Sequence, residues 1–123
     1  MNLREILREG GTGVIATAGK DGVVNTAIYA VPEVVGENLV VFGMTEGRTL
    51  DNVKENPNAA YLYISPDNRY SGARLTLRLK KIDDSGPLLE MKKEKLAKII
   101  GEDSAEKLRY LATFEVVEVR PLI

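Results

Sequence analysis

Two short connections between strand-like segments constrain this fold more than any other feature. Residues 12–18 (TGVIATA) and 23–31 (VVNTAIYAV) are apolar runs typical of β-strands, with only GKDG at 19–22 between them. Asp-Gly supplies the positive backbone angles that a tight hairpin needs. Val34-Val35 and 39–44 (LVVFGM) form a second such pair around Gly-Glu-Asn. Because parallel strands need a crossover of a dozen or more residues, the spacing favours an antiparallel sheet over a parallel doubly wound one.

Three more strand patterns and several short helical patterns complete the chain. In residues 73–82, Leu75, Leu77 and Leu79 alternate with polar residues, which is the period of a half-buried strand. The other predicted strands are 58–65 and 110–119, and the predicted helices are 2–9, 46–56, 88–100 and 104–109, the last of them capped by Asp103-Ser104. About six strands joined mainly by hairpins, with short peripheral helices, predict a mainly β fold, a small antiparallel barrel.

Length and composition narrow the functional classes. The 123 residues predict a single domain spanning 1–123, and the net charge of -1 lacks the basic character of a nucleic-acid binder. There is no cysteine and no histidine, so thiolate metal sites, disulfides and histidine acid–base chemistry are excluded and no metal site is predicted. No stretch approaches the roughly 20 apolar residues that span a bilayer. We expect a cytoplasmic protein that binds neither nucleic acid nor membrane. Any reaction that it carries out should depend on a bound cofactor.

The segment VFGMTEGRTLDNV at 41–53 is a candidate anion site. A strand ends there and a helix begins, and a helix start presents unpaired N–H groups that favour an anion. Thr45 can cap this helix. Arg48 can bind a phosphate through two hydrogen bonds, and Thr49 adds a hydroxyl donor. Gly43 and Gly47 allow close approach of a ligand. The alternative is an ordinary capped helix, and Glu46 counts against a phosphate.

A second candidate feature is the polar pair Asn25-Thr26 inside the apolar strand VVNTAIYA. Adjacent strand residues point to opposite faces, so both cannot face solvent on a one-sided sheet. We therefore expect one of them to hydrogen-bond a group inside the protein or at an interface.

These elements, in this order, resemble the FMN-binding split-barrel superfamily, related to pyridoxamine 5'-phosphate oxidases. The similarity rests on an N-terminal helix, GVIAT, the Asp-Gly turn, VNT, a hairpin, and Arg48-Thr49 opening a helix that continues with DNV. It covers about residues 3–65 by motif, and the short single-domain FMN-binding proteins look most similar. The resemblance implies a six-stranded antiparallel Greek-key split barrel that forms a homodimer with two FMN molecules at the interface.

The resemblance also implies a set of FMN contacts. Arg48 and Thr49 would hold the phosphate, and the polar strand 25–27 would line the phosphate, the ribityl chain and the flavin edge. The residues 42–45 would run beside the isoalloxazine ring, and the chain end would cover the flavin of the partner subunit. The complete set of cofactor-binding residues implied is Asn25, Thr26, Ala27, Phe42, Gly43, Met44, Thr45, Arg48, Thr49 and Leu122.

The function implied is that of an FMN-binding flavoprotein, acting in electron transfer or as a small flavin-dependent oxidoreductase. A deazaflavin-dependent reductase and a non-catalytic flavin-binding or interaction module are the alternatives. The sequence identifies no catalytic residue, redox partner or substrate. Arg69 and Arg74 are the basic residues available for a substrate phosphate, although solvated loop arginines are the favoured interpretation, and Tyr70 is expected at the barrel rim.

Overall fold

The computed structural model describes residues 2–123, which form one antiparallel sheet flanked by short helices. The helices are α1 (Leu3–Ile6), α2 (Arg48–Glu55), α3 (Pro87–Ile100) and α4 (Glu102–Ala105). The strands are β1 (Thr12–Ala18), β2 (Val24–Ile28), β3 (Glu33–Val34), β4 (Leu39–Thr45), β5 (Asn58–Ile64), β6 (Gly72–Asp83) and β7 (Leu108–Pro121).

The sheet order is β2-β1-β5-β6-β7-β4-β3, with every neighbouring pair antiparallel. Both predicted hairpins are present, and Gly22 adopts the positive φ of 79° that the first turn requires. The expected count of six strands is not confirmed, because the two-residue β3 makes seven among the described residues. The sheet also stays open between its edge strands β2 and β3, which is consistent with a split barrel.

The interior is filled by side chains from both halves of the sheet. Phe42 lies at its centre, and its ring meets those of Tyr29, Tyr61 and Phe114 edge-on, with centroid separations of 6.2, 5.0 and 5.7 Å. Gly13 lies so close to Tyr61 that a Cβ there would overlap the tyrosine hydroxyl. Because the core is packed this tightly, a ligand as large as a flavin has to bind outside it.

Two predicted helices differ from the observed ones at their starts. The predicted helix 46–56 begins at Arg48, because Gly47 is its N-cap and has a backbone φ of 157°, outside the helical range. The predicted helix 104–109 is instead α4, which follows Gly101 and carries no side-chain cap, so the expected cap at Asp103-Ser104 was wrong. The long strand β7 begins at Leu108 and takes up the rest of that segment.

Within residues 2–123, no helix is both long enough and apolar enough to cross a bilayer.

Candidate functional site

The start of α2 presents an open helix N-terminus. Gly47 is its N-cap residue, with φ 157° and ψ -171°, a backbone region confined almost entirely to glycine. No side chain caps the helix, so the first N–H groups keep their partial positive charge for another acceptor. The expectation that Thr45 caps α2 was therefore wrong: Thr45 is the exposed last residue of β4, two residues before the N-cap.

Arg48 and Thr49 begin α2 but face different surroundings. Arg48 is exposed, and no ion pair involving it occurs among the residues that the structure describes. Thr49 is only 6% exposed, and its hydroxyl lies next to Tyr29. Burial raises the pKa of Tyr29, and the interaction with Thr49 partly offsets that rise. The helix start thus combines a free guanidinium with a hydroxyl that is held against the sheet.

α2 is fixed to the sheet by its apolar side and by one polar contact. Leu50 and Val53 are buried, as their spacing predicted. Asn52 Nδ2 donates to Thr17 Oγ1 over 3.1 Å, which ties the helix to β1. Thr17 is in turn the cross-strand partner of Asn25 on β2. The helix start and the polar strand residues therefore belong to one connected part of the molecule.

The polar strand residues alternate as predicted. Asn25 and Ala27 are half-buried, whereas Thr26 between them is exposed on the outer face of β2. Ala27 packs against the core. The prediction that Asn25 and Thr26 face opposite sides is thus confirmed, and α2 packs against the same strand.

The β4 residues of the predicted site offer backbone rather than side chains. Phe42 and Met44 are buried in the core, so their side chains are committed to packing. Gly43 faces the opposite side of β4, where a Cβ would approach the Leu108 side chain to 2.7 Å. A ligand beside β4 would therefore meet only the backbone that the Leu108 side chain leaves uncovered at this glycine.

An apolar cleft of ≈ 250 Å³ borders this part of β4. Its walls come from the segment between β2 and β3, the middle of β4, one side of α3 and Leu108 at the start of β7. The polar groups at the cleft are Lys92, Lys95 and Glu33, and Lys92 Nζ lies 3.7 Å from Glu33 Oε1. Burial lowers the pKa of Lys92, against the opposing effect of that carboxylate. The cleft is thus mostly apolar with a basic rim.

Tyr29 connects this cleft to the α2 N-terminus, because it lines the cleft and also lies beside Thr49. The sequence interpretation missed Tyr29. Its signal is the period of two in β2, which places it on the same face as Asn25 and Ala27.

Glu46, which the sequence left unexplained, is held by a residue far away in the chain. The Tyr110 hydroxyl donates to Glu46 Oε1 over 2.7 Å, and Lys54 Nζ lies 5.4 Å from the centroid of the Tyr110 ring. No local pattern in the sequence could have indicated this pair, because it depends on β7 lying next to β4.

The remaining predicted residues lie at the other end of the sheet. Leu122 follows the end of β7, whereas the α2 N-terminus lies near the beginning of β7, where Thr45 pairs with Leu108. Within one chain, Leu122 is therefore not brought to Arg48. Arg74 Nε donates to the Pro121 carbonyl over 2.9 Å, and Tyr70 is exposed beside Arg69 rather than packed at the rim.

The outer face of β2, β1 and β5 is mostly apolar. Ile28 is 81% exposed and Val24 is 77% exposed, on the same face of β2 as Thr26. Their neighbours across the strands are also small or apolar, namely Val14, Ala16, Ala18, Ala60 and Leu62. A continuous exposed apolar face of this kind is typical of a protein–protein contact.

The open antiparallel sheet around a filled core, with its free helix start beside an edge strand, defines a split-barrel protein. The sequence pattern of the pyridoxamine 5'-phosphate oxidase family matches residues 2–122, and the chain belongs to this family. A comparison with curated protein sequences gives no match.

Three solved structures illustrate how widely the fold is shared. An FMN-binding protein from Syntrophomonas wolfei subsp. wolfei has a TM-score of 0.76 at 20% identity, with 90% of this chain and 76% of that chain covered. HupZ from Group A Streptococcus has a TM-score of 0.71 at 16% identity, with 90% and 84% covered. An F420 reductase has a TM-score of 0.65 at 21% identity, with 94% of each chain covered. At these identities the similarity shows the fold alone.

Proposed function

We propose that this protein is a homodimeric FMN-binding flavoprotein that acts in electron transfer or as a small flavin-dependent oxidoreductase. The observation that carries the proposal is the uncapped N-terminus of α2 beside the free guanidinium of Arg48. Membership of the pyridoxamine 5'-phosphate oxidase family and the similarity to an FMN-binding protein support the same cofactor.

The residues present fit the phosphate of FMN. A phosphate dianion would accept hydrogen bonds from the helix N–H groups, and the Arg48 guanidinium would add a charge-assisted contact. A Cβ at Gly47 would meet no other atom within 4 Å, so the backbone there is open to close approach. Nothing about the donor set requires a metal ion to balance the charge.

The residues beside the helix start fit the remainder of the cofactor. Asn25 is the polar side chain of β2 that is available to the ribityl chain on the α2 side, whereas Thr26, on the opposite face, would reach a flavin only at the dimer interface. Gly43 lines the adjoining cleft, which offers an apolar surface for part of a planar ring. Bound FMN would supply one- and two-electron redox chemistry, which a chain without histidine and cysteine otherwise lacks.

The proposed dimer uses the outer face of β2, β1 and β5. Burying Ile28 and Val24 against a second copy would remove apolar surface from water and would complete the site next to an edge strand. In such a dimer, Leu122 of one chain would be available to cover the flavin of the other.

A deazaflavin is the alternative cofactor, and the similarity to an F420 reductase supports it. A non-catalytic module that binds flavin or a partner protein is the third possibility. Reduction with dithionite followed by rapid reoxidation with a redox partner would separate an electron carrier from such a module.

The experiment that tests the proposal is identification of the cofactor released when the purified protein is denatured. The proposal predicts FMN. A released deazaflavin would establish the alternative. A colourless protein that takes up no added FMN would contradict flavin binding altogether.

A further inference from the structure

Glu46 places a negative charge beside a site proposed to bind an anion. It is the residue immediately before the N-cap Gly47 and lies two positions before Arg48. A carboxylate free to turn toward the helix start would repel a phosphate and compete for the same guanidinium. A functional phosphate site at α2 therefore needs some means of keeping this side chain elsewhere.

A residue on β7, Tyr110, holds the Glu46 side chain in place. Tyr110 pairs with Met44 across the β4–β7 ladder, which brings its hydroxyl within 2.7 Å of Glu46 Oε1. The hydrogen bond to this carboxylate is the main reason that the pKa of Tyr110 is raised. Lys54, from the last turn of α2, lies over the tyrosine ring and adds a positive charge on the same side.

Glu46 and Thr49, which flank Gly47 and Arg48, thus lie toward different strands of the sheet. Glu46 is held toward β7 by its hydrogen bond to Tyr110, whereas the buried Thr49 lies beside Tyr29, just after β2. In the sheet, β2 and β7 are separated by β1, β5 and β6. The open N–H groups of α2 lie between these two contacts along the chain.

We propose that Tyr110 is a positioning residue of the anion site: its hydroxyl holds the Glu46 carboxylate on the β7 side of the α2 N-terminus and so protects phosphate affinity. This inference rests on the proposed function, and it makes Tyr110 a determinant of selectivity for phosphorylated over unphosphorylated flavin. Tyr110 itself does not contact the ligand.

The first test is the Tyr110→Phe variant, titrated with FMN and with riboflavin. Loss of the hydroxyl frees the carboxylate, so FMN affinity falls about three- to tenfold while riboflavin affinity stays unchanged. The loss becomes smaller at high ionic strength, because repulsion between exposed charges is screened. A purely structural role for Tyr110 would weaken both ligands equally and independently of salt, and that result would overturn the inference.

A double-mutant cycle assigns the effect to Glu46. In a Glu46→Gln background no carboxylate remains to be positioned, so adding Tyr110→Phe should leave FMN affinity unchanged. An undiminished loss in that background would overturn the proposal. The control is Tyr70→Phe: Tyr70 also lies beside a cation, with Arg69 5.5 Å from its ring, but it sits in the β5–β6 loop away from α2.

Measurements with inorganic phosphate test the positioning role of Tyr110 separately from flavin binding. Thermal unfolding of wild type and Tyr110→Phe is compared in phosphate and in chloride at equal ionic strength. If no flavin binds but phosphate still protects the wild type more than the variant, the proposed function fails and the positioning role stands. If FMN binds the wild type and the variant equally well, the positioning role fails and the proposed function stands. If neither ligand affects the wild type, both are overturned.

Discussion

Asn52 donates a hydrogen bond from its side-chain amide to the hydroxyl of Thr17 over 3.1 Å, joining α2 to β1. Thr17 faces Asn25 across the first hairpin, and Arg48 begins the helix one turn before Asn52. Residues that are far apart in sequence are thereby held in one rigid arrangement beside the sheet edge. The proposed phosphate contact depends on this arrangement, because it requires a fixed helix start.

Replacing Arg48 with alanine should weaken FMN binding far more than riboflavin binding. Only FMN carries the phosphate, and one charge-assisted contact is worth about 1.5–3 kcal/mol, or roughly tenfold to a hundredfold in affinity. Fluorescence titrations with both ligands measure the difference. Arg78→Ala, which removes an exposed arginine from β6, is the matched control and should change neither affinity. Equal losses for the two flavins in Arg48→Ala would place Arg48 outside the phosphate site.

Gly47→Ala should cost both stability and FMN affinity. The backbone of Gly47 lies in a glycine-only region, so a Cβ there introduces strain of about 1–3 kcal/mol. Gly86 caps α3 with a similar backbone, φ 124° and ψ 167°, and has equally open surroundings. Gly86→Ala should therefore lower the melting temperature by a similar amount while leaving FMN affinity unchanged. An FMN affinity that survives Gly47→Ala would show that the helix start takes no part in binding.

Ile28→Lys should convert the proposed dimer into a monomer. The substitution places a charge on the outer apolar face, where a second copy would bury it unpaired. Size-exclusion chromatography with light scattering measures the mass. Ile99→Lys, at a position on α3 that is 79% exposed, is the control and should remain dimeric. A wild-type protein that is monomeric at every concentration would contradict the dimer.

Stability should fall as the pH rises above about 10, the ordinary pKa of tyrosine. Tyr61 is 1% exposed, and burial raises its pKa far above that value, so the unfolded chain loses this proton before the folded one does. The contribution of Tyr61 to the free energy of unfolding is therefore complete at pH values below the tyrosine pKa of the unfolded chain. At higher pH this contribution decreases by about 1.4 kcal/mol per pH unit.

The comparison that isolates this effect is Tyr61→Phe. It removes the hydrogen bond from Tyr61 to the Tyr29 carbonyl, which costs about 1 kcal/mol at neutral pH, but it also flattens the alkaline slope. Chemical denaturation between pH 9 and about 11.5 measures both quantities. Tyr70→Phe should leave the slope as in the wild type, since Tyr70 is exposed. An unchanged slope in Tyr61→Phe would show that this group does not control the transition.

Local patterns predicted most of the fold. The alternation in β6 correctly placed Leu75 and Leu77 in the core, and the Asp-Gly turn correctly located the first hairpin. These succeed because the side-chain period and the turn geometry are set by residues close together in the chain. The short strand β3 was expected at Val34-Val35 but is Glu33–Val34, because only two residues pair and their register depends on β4.

The candidate site was predictable only where its residues are adjacent in sequence. Arg48 and Thr49 follow from the helix pattern, but the cap was assigned to Thr45 because propensity favours threonine over glycine there. The actual N-cap is Gly47, two residues further along the chain, and no side chain caps the helix. Tyr110 and the α3 side of the cleft come from the last third of the chain, so only the sheet order reveals their proximity.

FMN binding by a homodimer is tested most directly by titrating the flavin-free wild-type protein with FMN and with riboflavin and measuring the molecular mass in the same solution. We expect a dimer that binds one FMN per chain and binds riboflavin more weakly, because riboflavin lacks the phosphate that α2 and Arg48 would hold. A dimer that stays colourless and takes up no FMN would contradict the proposal that this protein binds FMN.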